Sequence, residues 1–185
     1  MGHVDDGQCL VFMKPSSSVV PPGPLQLPRG RGSVHHETEM VVMLTGGDAD
    51  VPVERALDNV AAITLGLDLT LRDLQADLKK RGAPWELCKS FDNAAPLGEW
   101  IPYNGQDLQA LEFTCEVNGQ RRQSGHTKNM LFPVARLIHL LSKTWALQPG
   151  DIIYTGTPAG VGPLAAGDRV TLAGKGLGRH EWVCR

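Results

Sequence analysis

Short apolar runs separated by turn residues dominate the hydrophobic pattern of this chain. Such runs, rich in β-branched residues and bounded by Gly, Pro, Asn or Asp, are typical of strands. The pattern predicts strands at residues 9–13, 34–44, 111–117, 152–154 and 167–172. Asn118-Gly119 follows the third of these runs and favours a two-residue hairpin turn, so residues 121–124 are expected to return beside it.

One segment has the spacing of an amphipathic helix with recognisable ends. Residues 71–81 place Leu71, Leu74 and Leu78 on one face, and Gly82 follows as a stop signal. Thr70 with Asp73 resembles a capping box, in which the two side chains satisfy the first backbone N–H groups of a helix. The sequence therefore predicts a helix over residues 71–81 with its cap at Thr70.

The other elements fix the fold class. Residues 54–65 begin with helical spacing and become strand-like, and residues 130–145 predict a second amphipathic helix. The Pro- and Gly-rich residues 21–33 are expected to form an ordered loop. Because strands and helices follow one another without a βαβ rhythm, we expect a single β-rich α+β domain over residues 1–185.

Composition narrows the classes of function. The net charge of −2, from 18 basic and 20 acidic residues, gives no basic stripe and argues against nucleic acid as a partner. No apolar run approaches the roughly 18 residues that would span a bilayer, so no membrane partner is expected. The four cysteines lack Cys-x-x-Cys spacing, which is typical of a reduced, cytoplasmic protein.

Three carboxylates are candidates for a metal site. Glu37 and Glu39 are one residue apart in a predicted strand, where side chains alternate between faces, so both should point the same way. A divalent cation such as Mg²⁺ would relieve their mutual repulsion. Asp68, between an apolar run and a helix, could be a third ligand. The alternatives are a solvated strand edge for the glutamates and a favourable helix-dipole position for the aspartate.

Candidate substrate groups lie in three other segments. Lys89 could neutralise a carboxylate or an enolate, or could only extend its ammonium group to solvent from an apolar stretch. Arg72 and Gln75 share a helix face beside Asp68 and could contact substrate oxygens, although a surface arginine is the commoner outcome. Residues 155–162 offer amides and hydroxyls suited to a carboxylate, or form only a turn.

Together these segments resemble the fumarylacetoacetate hydrolase family, in particular its small acylpyruvase-like members. The resemblance extends over nearly the whole chain with its motifs in order. The matching stretches are Phe12-Met-Lys-Pro-Ser-Ser-Ser18, His35-His-Glu-Thr-Glu39, Leu67-Asp-Leu-Thr-Leu-Arg-Asp-Leu-Gln75, Lys79-Lys-Arg-Gly-Ala-Pro-Trp85, Lys89-Ser-Phe-Asp92, Val117-Asn-Gly119, Pro149-Gly-Asp151 and Thr155-Gly-Thr-Pro-Ala-Gly-Val-Gly162.

The resemblance implies a mixed β-sandwich roll, a Mg²⁺ or Mn²⁺ site and a homodimer. By position it makes Glu37, Glu39 and Asp68 the metal ligands and Lys89 the catalytic lysine. It places Arg72, Gln75 and Thr157 where relatives contact substrate. It also implies an upstream lid with a His-x-x-Glu pair that activates water. Only 13 residues precede Lys14, and His3-Val-Asp-Asp6 departs from that pattern, so the lid region is expected to be short or missing.

The implied function is metal-dependent chemistry on 2-oxo and 2,4-dioxo acids. The leading hypothesis is hydrolysis of a carbon–carbon bond in acylpyruvates or fumarylpyruvate, with decarboxylation of oxaloacetate as a further reaction through the same pyruvate enolate. An alternative is an isomerase or decarboxylase of hydroxylated dienedioates from aromatic catabolism. A third is a lidless relative that binds metal and 2-oxo acids without turnover.

Overall fold

The computed structural model describes residues 9–185, in which strands far outnumber helices. The strands are β1 (Val19–Val20), β2 (Gly23–Leu25), β3 (Val34–His36), β4 (Thr38–Leu44), β5 (Val60–Leu67), β6 (Thr70–Leu71), β7 (Ala95–Pro96), β8 (Ile101–Pro102), β9 (Glu112–Val117), β10 (Gln120–His126), β11 (Ile152–Tyr154), β12 (Gly162–Leu164), β13 (Arg169–Gly174) and β14 (Gly178–Cys184). The α-helices are α1 (Arg72–Arg81), α2 (Glu86–Lys89) and α3 (Val134–Ser142), and 3-10 turns occupy Ser16–Ser18, Val53–Asn59 and Thr127–Asn129.

Two larger sheets form the body of the fold. One has the strand order β10-β9-β13-β14-β2 and the other β11-β4-β5-β8. A three-stranded sheet, β12-β3-β6, and the pair β1-β7 complete the described strands. Pairing is antiparallel except between β14 and β2 and between β1 and β7. This β-rich α+β architecture confirms the predicted fold class.

The core lies where β13 and β14 pack against β5. Strand β5 is buried along nearly its whole length and contributes Ile63, Leu65 and Leu67, while Leu172 and Trp182 are fully buried on the opposing strands. A strand covered on both faces needs a continuous apolar run, which the sequence Val60–Leu67 supplies. The rigid core therefore extends up to the end of β5, where Asp68 begins the candidate site.

Several predicted elements are confirmed. Strands β9 and β10 form the antiparallel hairpin, and Asn118 and Gly119 both have the positive φ angles, 53° and 76°, that such a turn needs. The change from helix to strand within residues 54–65 is the 3-10 turn Val53–Asn59 followed by β5. Residues 21–33 are irregular apart from the short strand β2.

The predicted helix at residues 71–81 is α1, but the predicted capping box is wrong. The Leu71 N-cap makes no side-chain cap hydrogen bond. Thr70 Oγ1 donates to Asp68 O at 3.2 Å, and Asp73 accepts from Ser33 N at 3.0 Å. Thr70 Oγ1 also accepts from Lys89 Nζ, so both side chains take part in tertiary contacts in place of the local cap.

Three other predictions need correction. Residues 9–13 do not form a buried strand: Leu10, Val11 and Met13 are exposed, because none of the described strands pairs with this segment. Helix α3 is shorter than residues 130–145, since Pro133 is its N-cap and the chain leaves the helix after Ser142. The strand at residues 167–172 is not the last one, because β14 follows it and pairs with β13.

Across residues 9–185, no helix is long and apolar enough to cross a membrane. Residues 3–6, whose His-x-x-Asp departs from the lid pattern, lie outside the described residues.

Candidate metal and substrate site

The acidic side chains converge because of the register between β4 and β5. Glu39 lies on β4 opposite Gly66, and Glu37 occupies the break between β3 and β4. Asp68 directly follows β5, and its N–H donates to Glu37 O at 2.8 Å. One carboxylate oxygen from each residue lies within 4.8 Å of the other two, and all three residues are buried. The predicted triad is therefore assembled, although Glu37 lies in a strand break and not within a continuous strand.

Lys89 reaches the triad from α2 and is itself buried. Its ammonium contacts Glu37 Oε2 at 2.6 Å, Asp68 Oδ2, and Thr70 Oγ1 at 2.6 Å. The Phe12 ring covers the ammonium, with 4.8 Å from Nζ to the ring centroid. Lys89 does not extend to solvent; its charge is held inside the site.

Lys14 is a second buried lysine, for which the sequence analysis assigned no role. Its Nζ lies 2.8 Å from Asp68 Oδ1 and donates to the backbone oxygens of Lys89, Ala94 and Leu69. The Phe-x-Lys-Pro stretch that carries Lys14 was part of the family resemblance, which is the signal that could have identified it.

Arg72 and Gln75 lie beside the triad at the start of α1. Arg72 contacts Glu37 Oε1 at 2.5 Å and Gln75 Oε1 at 2.5 Å. Gln75 is buried, whereas the Arg72 side chain keeps 28% of its surface exposed. The two residues thus form one wall of the site, and part of the Arg72 side chain remains exposed there.

Thr157 lies against β4, in the segment Thr155–Pro158, here called the TGTP loop. Its hydroxyl donates to Thr38 O at 2.9 Å and accepts from Gln123 at 2.8 Å. The neighbouring Gly156 N–H donates to Glu39 Oε2 at 2.6 Å. The loop therefore contacts β4, the strand that carries Glu39, both through a side chain and through its backbone. Sequence reasoning missed Gln123, since it lies in an ordinary-looking hairpin strand.

Burial and neighbouring charges shift the pKa values of the triad in different directions. Burial raises the pKa of Glu39 to about 8, and the Asp68 and Glu37 charges add to this shift. Burial also raises the pKa of Asp68, against the opposing effect of Lys14 and Lys89. For Glu37, Lys89 and Arg72 outweigh burial and lower the pKa.

The pKa values of the two lysines also shift in opposite directions. Burial works against the charge of both groups. The Asp68 and Glu37 carboxylates outweigh it at Lys89 and raise the pKa of that ammonium. At Lys14 burial prevails over Asp68, and the pKa is lowered. The Asp68 and Glu37 carboxylates therefore favour the protonated form of Lys89.

The donor set fits a hard divalent cation. Three buried carboxylates supply the oxygen ligands that Mg²⁺ and Mn²⁺ prefer, and two of them already converge on one cationic atom, Lys89 Nζ. Within the described residues, Asp68 Oδ1 has an ion-pair neighbour but no hydrogen bond of good geometry. A buried carboxylate oxygen of this kind suits a cation as its ligand.

Comparison with known proteins agrees with this site. The family described as fumarylacetoacetate (FAA) hydrolase C-terminal matches residues 3–183. The chain belongs to the fumarylacetoacetate hydrolase family. Members of this family are enzymes, among them hydrolases, isomerases and enzymes of oxaloacetate.

Three family members are close relatives of this chain. It is 40% identical over 176 residues to the oxaloacetate tautomerase YcgM of Escherichia coli, covering 93% of this chain and 80% of that protein. Fumarylpyruvate hydrolase from Pseudomonas aeruginosa, solved with Mn²⁺ and pyruvate, superimposes with a TM-score of 0.90 at 35% identity, covering 94% of this chain and 77% of the other. The 5-carboxymethyl-2-hydroxymuconate delta-isomerase from Mycobacterium smegmatis superimposes with a TM-score of 0.89 at 37% identity, covering 100% of this chain and 72% of the other.

Proposed function

We propose that this chain is a divalent-metal-dependent enzyme that forms and stabilises the enolate of a 2-oxo acid, with oxaloacetate as the first substrate to test. The observation that carries the proposal is the buried Lys89 ammonium beside three convergent carboxylates. A positive group fixed in a dry site can stabilise negative charge that develops on a substrate oxygen. The 40% identity to an oxaloacetate tautomerase supports the choice of substrate.

Each residue has a proposed part in this chemistry. Glu37, Glu39 and Asp68 would hold Mg²⁺ or Mn²⁺, which when bound supplies Lewis acidity to a substrate carboxylate and its adjacent 2-oxo oxygen. Lys89 would redirect one of the three protons that it donates to Glu37, Asp68 and Thr70 toward the oxygen on which the enolate charge develops. The exposed part of Arg72, held in place by Gln75, would bind a carboxylate of the substrate.

Thr157 is proposed to act through its backbone. Its hydroxyl proton is already used on Thr38 O, and within the described part of the chain its N–H has no acceptor. That N–H can therefore donate to a substrate oxygen, while the hydroxyl holds the TGTP loop in place.

Oxaloacetate can react in two ways, each through an enolate at the 2-oxo oxygen. In tautomerisation a base takes a proton from C3, which leaves the enolate of oxaloacetate, and the 2-oxo oxygen is then protonated. In decarboxylation the C3–C4 bond breaks, CO₂ leaves, and the bonding electrons remain in the enolate of pyruvate. Both reactions need groups that hold carboxylates and stabilise the enolate, which the described residues supply. Neither requires water to be activated.

Hydrolysis of acylpyruvates or fumarylpyruvate is the second candidate function. The structural similarity to a fumarylpyruvate hydrolase solved with Mn²⁺ and pyruvate favours it. Here water adds to the distal carbonyl carbon, the carbon–carbon bond breaks, and pyruvate leaves as the same enolate. This route needs a base that activates water, a contribution of roughly 10²–10⁴-fold.

A substrate panel tests the proposal. The chain is incubated at a fixed Mn²⁺ concentration with oxaloacetate, acetylpyruvate or fumarylpyruvate. Loss of the oxaloacetate enol and release of pyruvate are measured separately. Enol loss without pyruvate indicates tautomerisation, and both together indicate decarboxylation. Because free divalent metal itself decarboxylates oxaloacetate, a Glu39→Gln variant at the same metal concentration is the matched control. A wild-type rate equal to that control on every substrate would contradict the proposal.

A further inference from the structure

The strand β10 contains a β-bulge that directs one side chain into the interior. Arg121 pairs with Glu116 and Gln123 pairs with Cys115, so Arg122 is an extra residue without its own partner on β9. Gln120 to Arg122 are exposed, whereas Gln123 is only 1% exposed. Bulges recur next to active sites, where they re-aim a side chain. Here the re-aimed side chain is Gln123.

Gln123 uses both ends of its amide. Its Oε1 accepts from Thr38 N at 3.0 Å and lies 2.9 Å from His36 Nδ1. Its Nε2 donates to Thr157 Oγ1 at 2.8 Å and to Pro158 O at 2.9 Å. A backbone N–H can only donate and a carbonyl can only accept, so Thr38 and Pro158 together fix the orientation of the amide. His36 must then carry its proton on Nδ1.

The two ends of the amide connect two parts of the candidate site. His36 and Thr38 lie on either side of Glu37, at the strand break that delivers this carboxylate. Thr157 and Pro158 belong to the TGTP loop, whose backbone contacts Glu39. A single buried side chain thus joins the strand break to the TGTP loop.

The bulge contacts the same loop region independently of Gln123. Gly160, three residues after Thr157, has a φ of 101°, and a Cβ at this position would collide with the Arg122 carbonyl oxygen. The absence of a side chain there lets the chain approach the unpaired bulge residue directly. Two separate contacts therefore hold residues 157–160 against β10.

We propose that Gln123 is a positioning residue that sets the place of the TGTP loop, and through Thr157 the substrate affinity of the site. This inference rests on the proposed function, in which the loop binds a substrate oxygen. A loop that binds the unchanged part of the substrate contributes equally before and during the reaction. Its displacement raises KM and leaves kcat nearly unchanged.

The central variant is Gln123→Met, which keeps the length and burial of the side chain and removes its hydrogen bonds. At saturating Mn²⁺, the KM of this variant for oxaloacetate should rise on the order of tenfold, and its kcat should stay within about threefold of wild type. The affinity for oxalate, an unreactive substrate analogue, should fall by a similar factor in calorimetry. Gln120→Met, the same change at an exposed position of β10, is the matched control and should leave both values unchanged.

Thr157 variants test the route of the effect and do not depend on the folding of the Gln123 variant. Thr157→Val removes the hydroxyl that connects Gln123 to Thr38 and should also raise KM. Thr157→Ser keeps the hydroxyl and should have the KM of wild type. Because both changes break one linkage, the Gln123→Met/Thr157→Val double variant should be no worse than the stronger single one. Gly160→Ala, which pushes the loop off the bulge, should again raise KM.

The outcomes separate this inference from the proposed function. A wild-type chain that neither turns over a 2-oxo acid nor binds oxalate would overturn the function and a substrate role for the loop. If wild type is active but Gln123→Met and Thr157→Val keep its KM and oxalate affinity, the positioning role alone is wrong. A fall in kcat with unchanged KM would show loss of folded enzyme, and would also contradict the positioning role.

Discussion

The buried charges of the site differ in what holds them in place. Glu37 contacts both Lys89 and Arg72, whereas Glu39 has no ion pair within residues 9–185 and receives a backbone hydrogen bond from Gly156. An ionised carboxylate buried with so little compensation is costly to the fold. Replacing Glu37 or Asp68 would also break an ion pair with Lys89. A change at Glu39 should therefore be the one in which an effect on metal affinity is easiest to distinguish from an effect on the stability of the fold.

Glu39→Gln should abolish metal binding while leaving the fold intact. The amide keeps the size of the side chain and can still accept from Gly156, but it removes one anionic ligand. Loss of even an outer-shell partner costs roughly 10–100-fold in metal affinity, so loss of a ligand should cost at least about 100-fold. Calorimetric titration with Mn²⁺ checks this, with the exposed Glu112→Gln as control. Normal affinity in Glu39→Gln would exclude Glu39 from the site.

Lys89→Met should lower kcat far more than it weakens metal binding. If the ammonium stabilises the enolate in the transition state, its removal should cost on the order of 10²–10³ in kcat, as for the loss of an oxyanion donor. Steady-state rates at saturating Mn²⁺ measure this, and Lys80→Met on the exposed face of α1 is the control. An unchanged kcat would limit Lys89 to an ion-pair role.

At the level of elements, α1 positions Arg72 and Gln75 and depends on how it ends. Gly82 follows its last residue with φ 62° and ψ 26°, and its N–H donates to the oxygens of Leu78 and Lys79. Glycine adopts this left-handed conformation without the steric cost of a Cβ. The stop signal in the sequence is therefore a true C-terminal cap.

Gly82→Ala should destabilise the protein by about 1 kcal/mol, because alanine at positive φ is strained. A Cβ at this position meets no atom within 4 Å, so the cost is conformational and not a clash. The free energy of unfolding from urea titration measures the loss, with the exposed Lys80→Ala as a control on the same helix. Equal stability of Gly82→Ala and wild type would rule out the strain argument.

At the scale of the whole molecule, metal binding and folding are coupled. The triad joins the break after β3, the strand β4 and the end of β5, so its geometry exists only in the folded chain. A ligand that binds only the folded state stabilises it by mass action, by about 2.7 kcal/mol at a concentration of 100 times Kd.

Mn²⁺ at 100 times Kd should therefore raise the melting temperature by roughly 5–10 °C for a chain of this size. Thermal melts with metal, and again after addition of a chelator, measure the shift and its reversal. In the Glu39→Gln variant, whose affinity should be at least about 100-fold lower, the same metal concentration should raise the melting temperature by less than about 2 °C. A metal-induced rise of the same size in that variant would place the stabilising ion elsewhere on the molecule.

Local rules were enough to predict much of this protein from its sequence. The alternation of side chains placed Glu37 and Glu39 together, the Asn118-Gly119 turn fixed the β9–β10 hairpin, and helical spacing located α1. Each of these depends on interactions between residues that are near neighbours in the chain. The family motifs added Asp68 and Lys89 as members of the same site.

Only the tertiary structure decided which distant residues meet. The β4–β5 register brings Asp68 to Glu37, and Lys14 reaches Asp68 across 54 positions of the chain. A bulge in β10 directs the Gln123 side chain into the interior, and no local sequence pattern indicated this bulge. The apolar residues 9–13 did not form the predicted strand, because a strand needs a partner and sequence periodicity does not supply one.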